Sequence, residues 1–229
     1  LLAITYYLLP ITQKMHVPEG ILPAEICIGG YALTSLTTWY CLREINKQAN
    51  PQEDIPKASL LTATFFVAST IHIPIPPASV HLVLNGLLGA VLGYYAFPAI
   101  LVGLFFQAVM FGHGGMTTLG VNAIIMGVPA LLARQIFLLR HLFRKRLNDN
   151  ISSSISAFFA GATAVGLATI FFFVFIITNI PSDWDFAAEK TAIYGLMLAH
   201  IPLMIIEGIF TSMVVSFIQR VKPEILPNN

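Results

Sequence analysis

Long apolar runs separated by short polar breaks cover almost the whole chain. One run extends from about Ile21 to Leu42, and a second from about Ala58 to Ile73. From Val80 to Phe111 the chain is apolar almost without interruption for about 32 residues, too long for one span of about 20. That run divides near Ala96-Phe97-Pro98 into two helices of a tight hairpin. Three further runs follow, from Thr117 to about Leu139, from about Ile155 to Ile177, and from about Ala192 to Ile218. The breaks are distinct. Arg43 to Lys57 is polar and interrupted by proline. Residues 74 to 79, Pro-Ile-Pro-Pro-Ala-Ser, cannot be helical. Phe111-Gly-His-Gly-Gly-Met116 is a glycine-rich turn. Asp183, Trp184, Asp185, Glu189 and Lys190 make the last loop polar. The pattern predicts an all-α polytopic membrane protein with seven transmembrane helices.

Composition strengthens this reading. The 229 residues are 56% hydrophobic and only 10% charged, with mean hydropathy +0.79. A soluble domain carries about 25% charged residues. A net charge of +1 gives no footprint for nucleic acid. Cys27 and Cys41 would lie about 21 Å apart on one helix, which excludes a bridge within it. Basic residues gather at Arg43 to Lys57, at Arg140, His141, Arg144, Lys145 and Arg146, and at Arg220 to Lys222. Seven spans put all three stretches on one side, the cytoplasmic one, with the N-terminus outside and the C-terminus inside. His16, His72, His81 and His113 then share the outer face, while His141 is inside and His200 lies within the last helix.

Four histidines at one face are what an extracytoplasmic metal site needs, although histidines also favour interfaces in general. His16 carries the sharpest chemistry. If Met15 is the mature N-terminus, its amine, the His16 backbone nitrogen and the His16 imidazole can chelate one ion in a near-plane. One corner is left for a fourth ligand, an arrangement suited to Ni(II) or Cu(II) and able to hold Co(II). The plainer alternative is a surface histidine before a proline turn. Residues 1–14 are expected to be a signal-peptide remnant or N-terminal extension, followed by a single membrane domain over 15–229. Glu207 is a carboxylate within a span, where charge is costly. It is expected in the inner half of the last helix, far from the outer histidines. There it would pair with Arg134 or accept hydrogen bonds from a neighbouring helix, in a structural or coupling role. The small residues Gly86, Gly89 and Gly93, and the strip Ala160, Ala164 and Ala168, suit close helix packing. No P-loop, H-E-x-x-H or G-x-S-x-G motif occurs, so the chain has no ATP site of that kind and no protease signature. No lysine stands in the middle of the last helix to form a retinal Schiff base, and no inverted repeat is visible.

Several stretches in order resemble the CbiM/NikM family. They are Met15-His-Val-Pro-Glu-Gly-Ile-Leu-Pro23, Pro76-Pro-Ala-Ser-Val-His-Leu82, Gly112-His-Gly-Gly-Met-Thr-Thr-Leu-Gly120 with Asn122, Ala199-His-Ile-Pro-Leu-Met-Ile-Ile-Glu-Gly208, and Val221-Lys-Pro-Glu-Ile-Leu226. These are substrate-specific (S) components of energy-coupling-factor transporters for cobalt and nickel. The resemblance implies a six-helix S-component bundle plus an extra N-terminal helix, in the plasma membrane, with Co2+ or Ni2+ as transported substrate. It implies Met15, His16 and His81 as metal ligands; His113, Ser79 and Asn122, within the matching stretches, are read as orienting residues around them, and His72 as either a further orienting residue or a polar helix end. It implies a transmembrane coupling (T) subunit and ATPase (A) subunits as partners, with a small accessory membrane subunit beside them, and no catalysis by this chain itself. Two features depart from the family pattern: 14 residues precede Met15, and His72 is additional. Two other function classes compete. An S-type subunit for an organic micronutrient needs an aromatic-lined outer pocket. An intramembrane enzyme would use Glu207 with His200, which stand about 10 Å apart along one helix face. Between cobalt and nickel the residues do not choose.

Overall fold

The computed structural model describes residues 16–75, 78–143, 148–180 and 186–227. Met15, residues 1–14, Arg144 to Arg146 and Asp183 to Asp185 lie outside the described residues. The helices are α1 (Ala24–Ile45), α2 (Ile55–Ala68), α3 (Asn85–Leu92), α4 (Ala96–Phe111), α5 (Leu119–Leu138), α6 (Arg140–Phe143), α7 (Asp149–Ile177) and α8 (Phe186–Val221). Between α2 and α3 lies a two-stranded antiparallel hairpin, β1 (His72–Ile75) and β2 (Ala78–His81). Pro74 and Ile75, from the run expected as a rigid loop, are extended and pair with Ser79 and Ala78.

Among the described residues, four stretches are long and apolar enough to cross a membrane: Asn85–Phe111, Leu119–Phe143, Asp149–Ile177 and Lys190–Val221. Elsewhere the outward faces are equally apolar. Ile28, Leu36, Trp39 and Leu60 are all more than 60% exposed, the condition of side chains that face lipid rather than water. The protein is thus a helical membrane protein. Asn85–Phe111 is not one straight rod, however. A continuous helix of 27 residues would hold its ends about 40 Å apart. Instead the His81 and His113 rings, which flank it, have centroids 6.5 Å apart. The chain doubles back at Gly93–Tyr95, where Gly93 takes φ +60°. The hairpin expected from the sequence is present, three residues before its expected turn at Ala96-Phe97-Pro98. Pro98 instead sits in the first turn of α4, where its missing N–H costs no helical bond. One arm departs from the expected seven full spans. With eight residues α3 is about 12 Å long and crosses only part of a hydrocarbon core of about 30 Å.

Small residues set the close approaches. The strip Ala160, Ala164 and Ala168 on α7 is fully buried. A Cβ at Gly86 would stand 2.6 Å from the Gly161 Cα and 2.8 Å from the Ala160 carbonyl, so α3 meets α7 backbone to backbone. Asn85 crosses the same seam, its amide nitrogen donating to the Met126 carbonyl at 3.2 Å and the Ala164 carbonyl at 3.4 Å. The basic end is also knit together. Lys57 Nζ donates to the Ile225 carbonyl at 3.0 Å and Arg140 Nη2 to the Pro227 carbonyl at 2.6 Å. The Tyr95 hydroxyl donates to the Pro51 carbonyl. The described parts of all three basic stretches, together with the α3–α4 turn, therefore share one end of the bundle.

Gly86→Ala is expected to cost about 1–3 kcal/mol, because backbone must move to admit the methyl. Gly29→Ala, with open space around it, is expected to be neutral. Thermal unfolding of the two variants in detergent checks the contrast.

Candidate metal centre

The opposite end of the bundle holds His16, His72, His81 and His113. Residues 16–23 form no helix, since Pro18 and Pro23 interrupt them, yet they turn inward: His16 is 1% and Val17 0% exposed. Asn122, in the first turn of α5, holds them there. It accepts from the Val17 N–H at 2.8 Å and donates to the Val17 carbonyl at 3.1 Å. The Thr118 hydroxyl donates to the same carbonyl at 2.8 Å. Glu19 accepts the Thr117 N–H at 3.0 Å. A buried peptide group needs both its donor and acceptor met, and a carboxamide aligned with it meets both at once. Gly114, at φ +75°, lets the 112–115 loop press close. A Cβ there would fall 2.8 Å from the Asn122 side-chain nitrogen and 3.5 Å from the His16 Cβ.

Four imidazoles gather around this strap. The His16 and His81 rings stack with centroids 5.5 Å apart. His113 stands 6.2 Å from His16, and His72 stands 6.2 Å from His81. Strand register explains the second pair, because His72 lies directly opposite His81 across the β hairpin. His81 Nδ1 lies 3.0 Å from the Leu82 carbonyl. A carbonyl only accepts, so the proton sits on Nδ1 and Nε2 keeps its lone pair. That Nε2 is buried and has no hydrogen-bond partner. Burial pushes the His81 imidazole down to about 4, the Leu82 carbonyl opposes this, and nearby His113, His72 and His200 push the same way as burial. His81 is therefore neutral at physiological pH, the state in which imidazole binds metal.

Of the residues expected at the site, the structure brings together His16, His81, His72, His113 and Asn122. Ser79 is placed in β2, but its side chain, like Met15, lies outside the described residues. Among the described residues no three His, Cys, Asp or Glu side chains form a metal site by themselves. A planar site at His16 and His81 thus calls for backbone or amine nitrogens as well.

Two findings correct the expectation for Glu207. It does not stand far from the histidines, and it does not pair with Arg134, whose guanidinium lies 4.1 Å over the Tyr94 ring. Its buried carboxylate accepts the Val83 N–H and, at 3.1 Å, the Leu84 N–H. These are the residues just after His81 and just before α3. An α-helix that begins inside a bundle has orphan amides, and a carboxylate is their strongest acceptor. Leu84 itself adopts φ +53°, a left-handed turn at the helix start. His200 is buried two turns away on the same face of α8, with Nδ1 donating to the Leu196 carbonyl at 2.7 Å. Each group is thus engaged with backbone rather than with the other, which removes the pairing an intramembrane enzyme would need. The i, i+7 spacing of His200 and Glu207 was the signal that both face the same neighbour.

A profile of the family described as the cobalt uptake substrate-specific transmembrane region, CbiM, matches residues 16–225. A protein of Haemophilus influenzae assigned to metal transport is 32% identical over 212 residues, spanning 93% of this chain and 97% of that one. A protein of Methanocaldococcus jannaschii assigned as the cobalt transport protein CbiM is 31% identical over 225 residues, spanning 93% and 90%. A fused CbiMQ cobalt transport protein assigned in Methanocorpusculum labreanum is 30% identical across 92% of this chain, which spans 36% of its length. The crystal structure of a transition metal transporter superposes with a TM-score of 0.70 at 25% identity, covering 90% of this chain and 93% of that one. A truncated transition metal transporter gives 0.68 at 25% identity, covering 90% and 98%.

Replacing Glu207 is expected to rank stability as Glu, then Gln, then Ala. Gln keeps one carbonyl acceptor for the two amides, and Ala keeps none and costs roughly 2–4 kcal/mol. Thermal unfolding of the three proteins in one detergent checks the order.

Proposed function

The chain belongs to the CbiM family of cobalt-uptake, substrate-specific transmembrane regions, and from that premise we propose that it captures Co2+ or Ni2+ at the outer membrane face. His16 and His81 supply imidazole nitrogens, and the Met15 amine and His16 backbone nitrogen complete a four-nitrogen plane. The observation that carries this is His81: a neutral, buried imidazole with a bare Nε2, 5.5 Å by ring centroid from a buried His16. Two imidazoles on one ion, each nitrogen about 2.1 Å from it, place their centroids between about 4.5 Å at right angles and 6.5 Å when opposed. The observed pair lies inside that window.

In this reading the chain passes through the membrane seven times, with the half-length α3 and the extended residues before it making one passage. The histidine end faces outward and the basic end faces the cytoplasm, in accord with the gathering of positive charge there. The chain hydrolyses no ATP. Partner ATPases supply the energy, and a transmembrane coupling subunit transmits it. The fused relative in M. labreanum, which joins a CbiM portion to a CbiQ portion, supports a CbiQ-type partner.

His16→Ala and His81→Ala are each expected to abolish binding of nickel and cobalt, while His141→Ala, at the basic end, binds as before. Equilibrium metal titration in detergent measures this, and wild-type affinity in His81→Ala would remove it from the ligand set. A chain beginning at Met15 is expected to bind far more tightly than one carrying residues 1–14. An N-terminal amine has a pKa near 8 and yields its proton to a metal at neutral pH, anchoring the ion so that the adjacent His16 amide can follow, whereas the Met15 amide of a longer chain gives up its proton far less readily and provides no such anchor. Titration of the two forms at one fixed pH decides, and equal affinities would exclude the amine.

A further inference from the structure

We propose that His72 and His113 form a second, outer metal site that takes the divalent ion from water and passes it to His16 and His81. The inference rests on the inner site proposed above. Exposure orders the four rings. His72 is exposed and His113 is half-buried, while His81 and His16 are only 4% and 1% exposed. A path from solvent to the inner pair therefore meets imidazoles in succession.

Separation and protonation both suit transfer. His72 and His113 have centroids 6.4 Å apart, and each stands 6.2–6.5 Å from a member of the inner pair. Every one of these distances falls at the wide end of the window for two rings sharing an ion, up to about 6.5 Å. His72 Nδ1 donates to the Thr70 carbonyl at 3.1 Å, which leaves the lone pair on Nε2. His72 and His81 are thus cross-strand neighbours set in the same tautomer by the same device, a local carbonyl on Nδ1. Such a carbonyl fixes the tautomer and orientation of a ligating histidine.

Chemistry gives the outer pair its purpose. A hydrated ion must shed its water before it enters a four-nitrogen plane. Two imidazoles with water completing the shell would strip part of that hydration without a chelate ring to hold the ion. Such a site is weak, and exchange from it is fast. It changes the rate at which the inner site fills and empties, and it leaves the equilibrium alone, because a way-station speeds both directions equally.

The test uses the full chain in the form that binds metal, rapidly mixed with Ni2+ or Co2+ and followed by absorbance, beside equilibrium titration. In His72→Ala and His113→Ala, association and dissociation are both expected to slow by about tenfold, with Kd unchanged. His72→Gln and His113→Asn keep polarity without the imidazole and are expected to behave alike. Unaltered rates in all four variants would overturn the outer site. So would a loss of affinity as large as that in His81→Ala, since His72 and His113 would then be ligands of the resting site. His81→Ala run alongside separates the premises: wild-type binding there overturns the inner site, not the transfer step alone.

Discussion

The Glu207 carboxylate on the Val83 and Leu84 amides is the contact on which the histidine end of the protein depends. Inside hydrocarbon every backbone polar group must find a partner within the protein. The chain violates the simplest solution, a continuous helix, by entering the bundle as the β1–β2 hairpin and starting α3 at the level of Met126, partway along α5. That start leaves amides exposed where no water reaches. Glu207, from the last helix, supplies acceptors to two of them. The cost of burying a carboxylate is offset by this bonding, and the benefit is placement, since His81 is two residues from the first of these amides.

A second constraint acts from the other side. The stretch before α1 has to lie buried without a helix to satisfy its own peptides. Asn122 resolves this at Val17, and the glycine loop at 112–115 gives it room. The two inner histidines therefore arrive by separate routes, one on an N-terminal strap tied to α5 and the other on a strand tied to α8. Neither is carried by a flexible tip. Both backbone anchors, Asn122 and Glu207, are buried. Two imidazoles held this way keep their spacing, which would lower the ordering cost of binding an ion between them.

The membrane class, the breaks between helices and the gathering of four histidines at one end were legible because each rests on hydropathy, proline or charge read along the chain. The α3–α4 hairpin was legible for a similar reason, since 32 apolar residues exceed one span, while its turn was not. Proline marked the start of a helix there, and glycine with a left-handed φ made the bend. Glu207 was misplaced because its depth was counted along its own helix. Its partners, Val83 and Leu84, lie in the short stretch between β2 and α3 that comes to meet it, and no local pattern encodes that meeting. His72 was visible as a residue but not as a cross-strand partner of His81, because the proline run hid the pairing. Asn122 stood out only through the motif around it, and its bond to Val17, 105 residues away, is a tertiary fact.

The donor atoms at the histidine end argue for selection by chemical type. Calcium and magnesium, hard cations, require oxygen ligands, several of them carboxylate. Two described carboxylates reach this end, and each is turned to backbone amides: Glu19 to Thr117, and Glu207 to Val83 and Leu84. What the described residues turn toward one another at this end is imidazole, and His81 stays neutral through the physiological range. Nitrogen donors of this kind favour the later transition metals, with nickel above cobalt in intrinsic affinity. Glu19 and Glu207, engaged with backbone amides, are thus not turned toward the rings, and a metal held among these imidazoles would be selected by nitrogen chemistry.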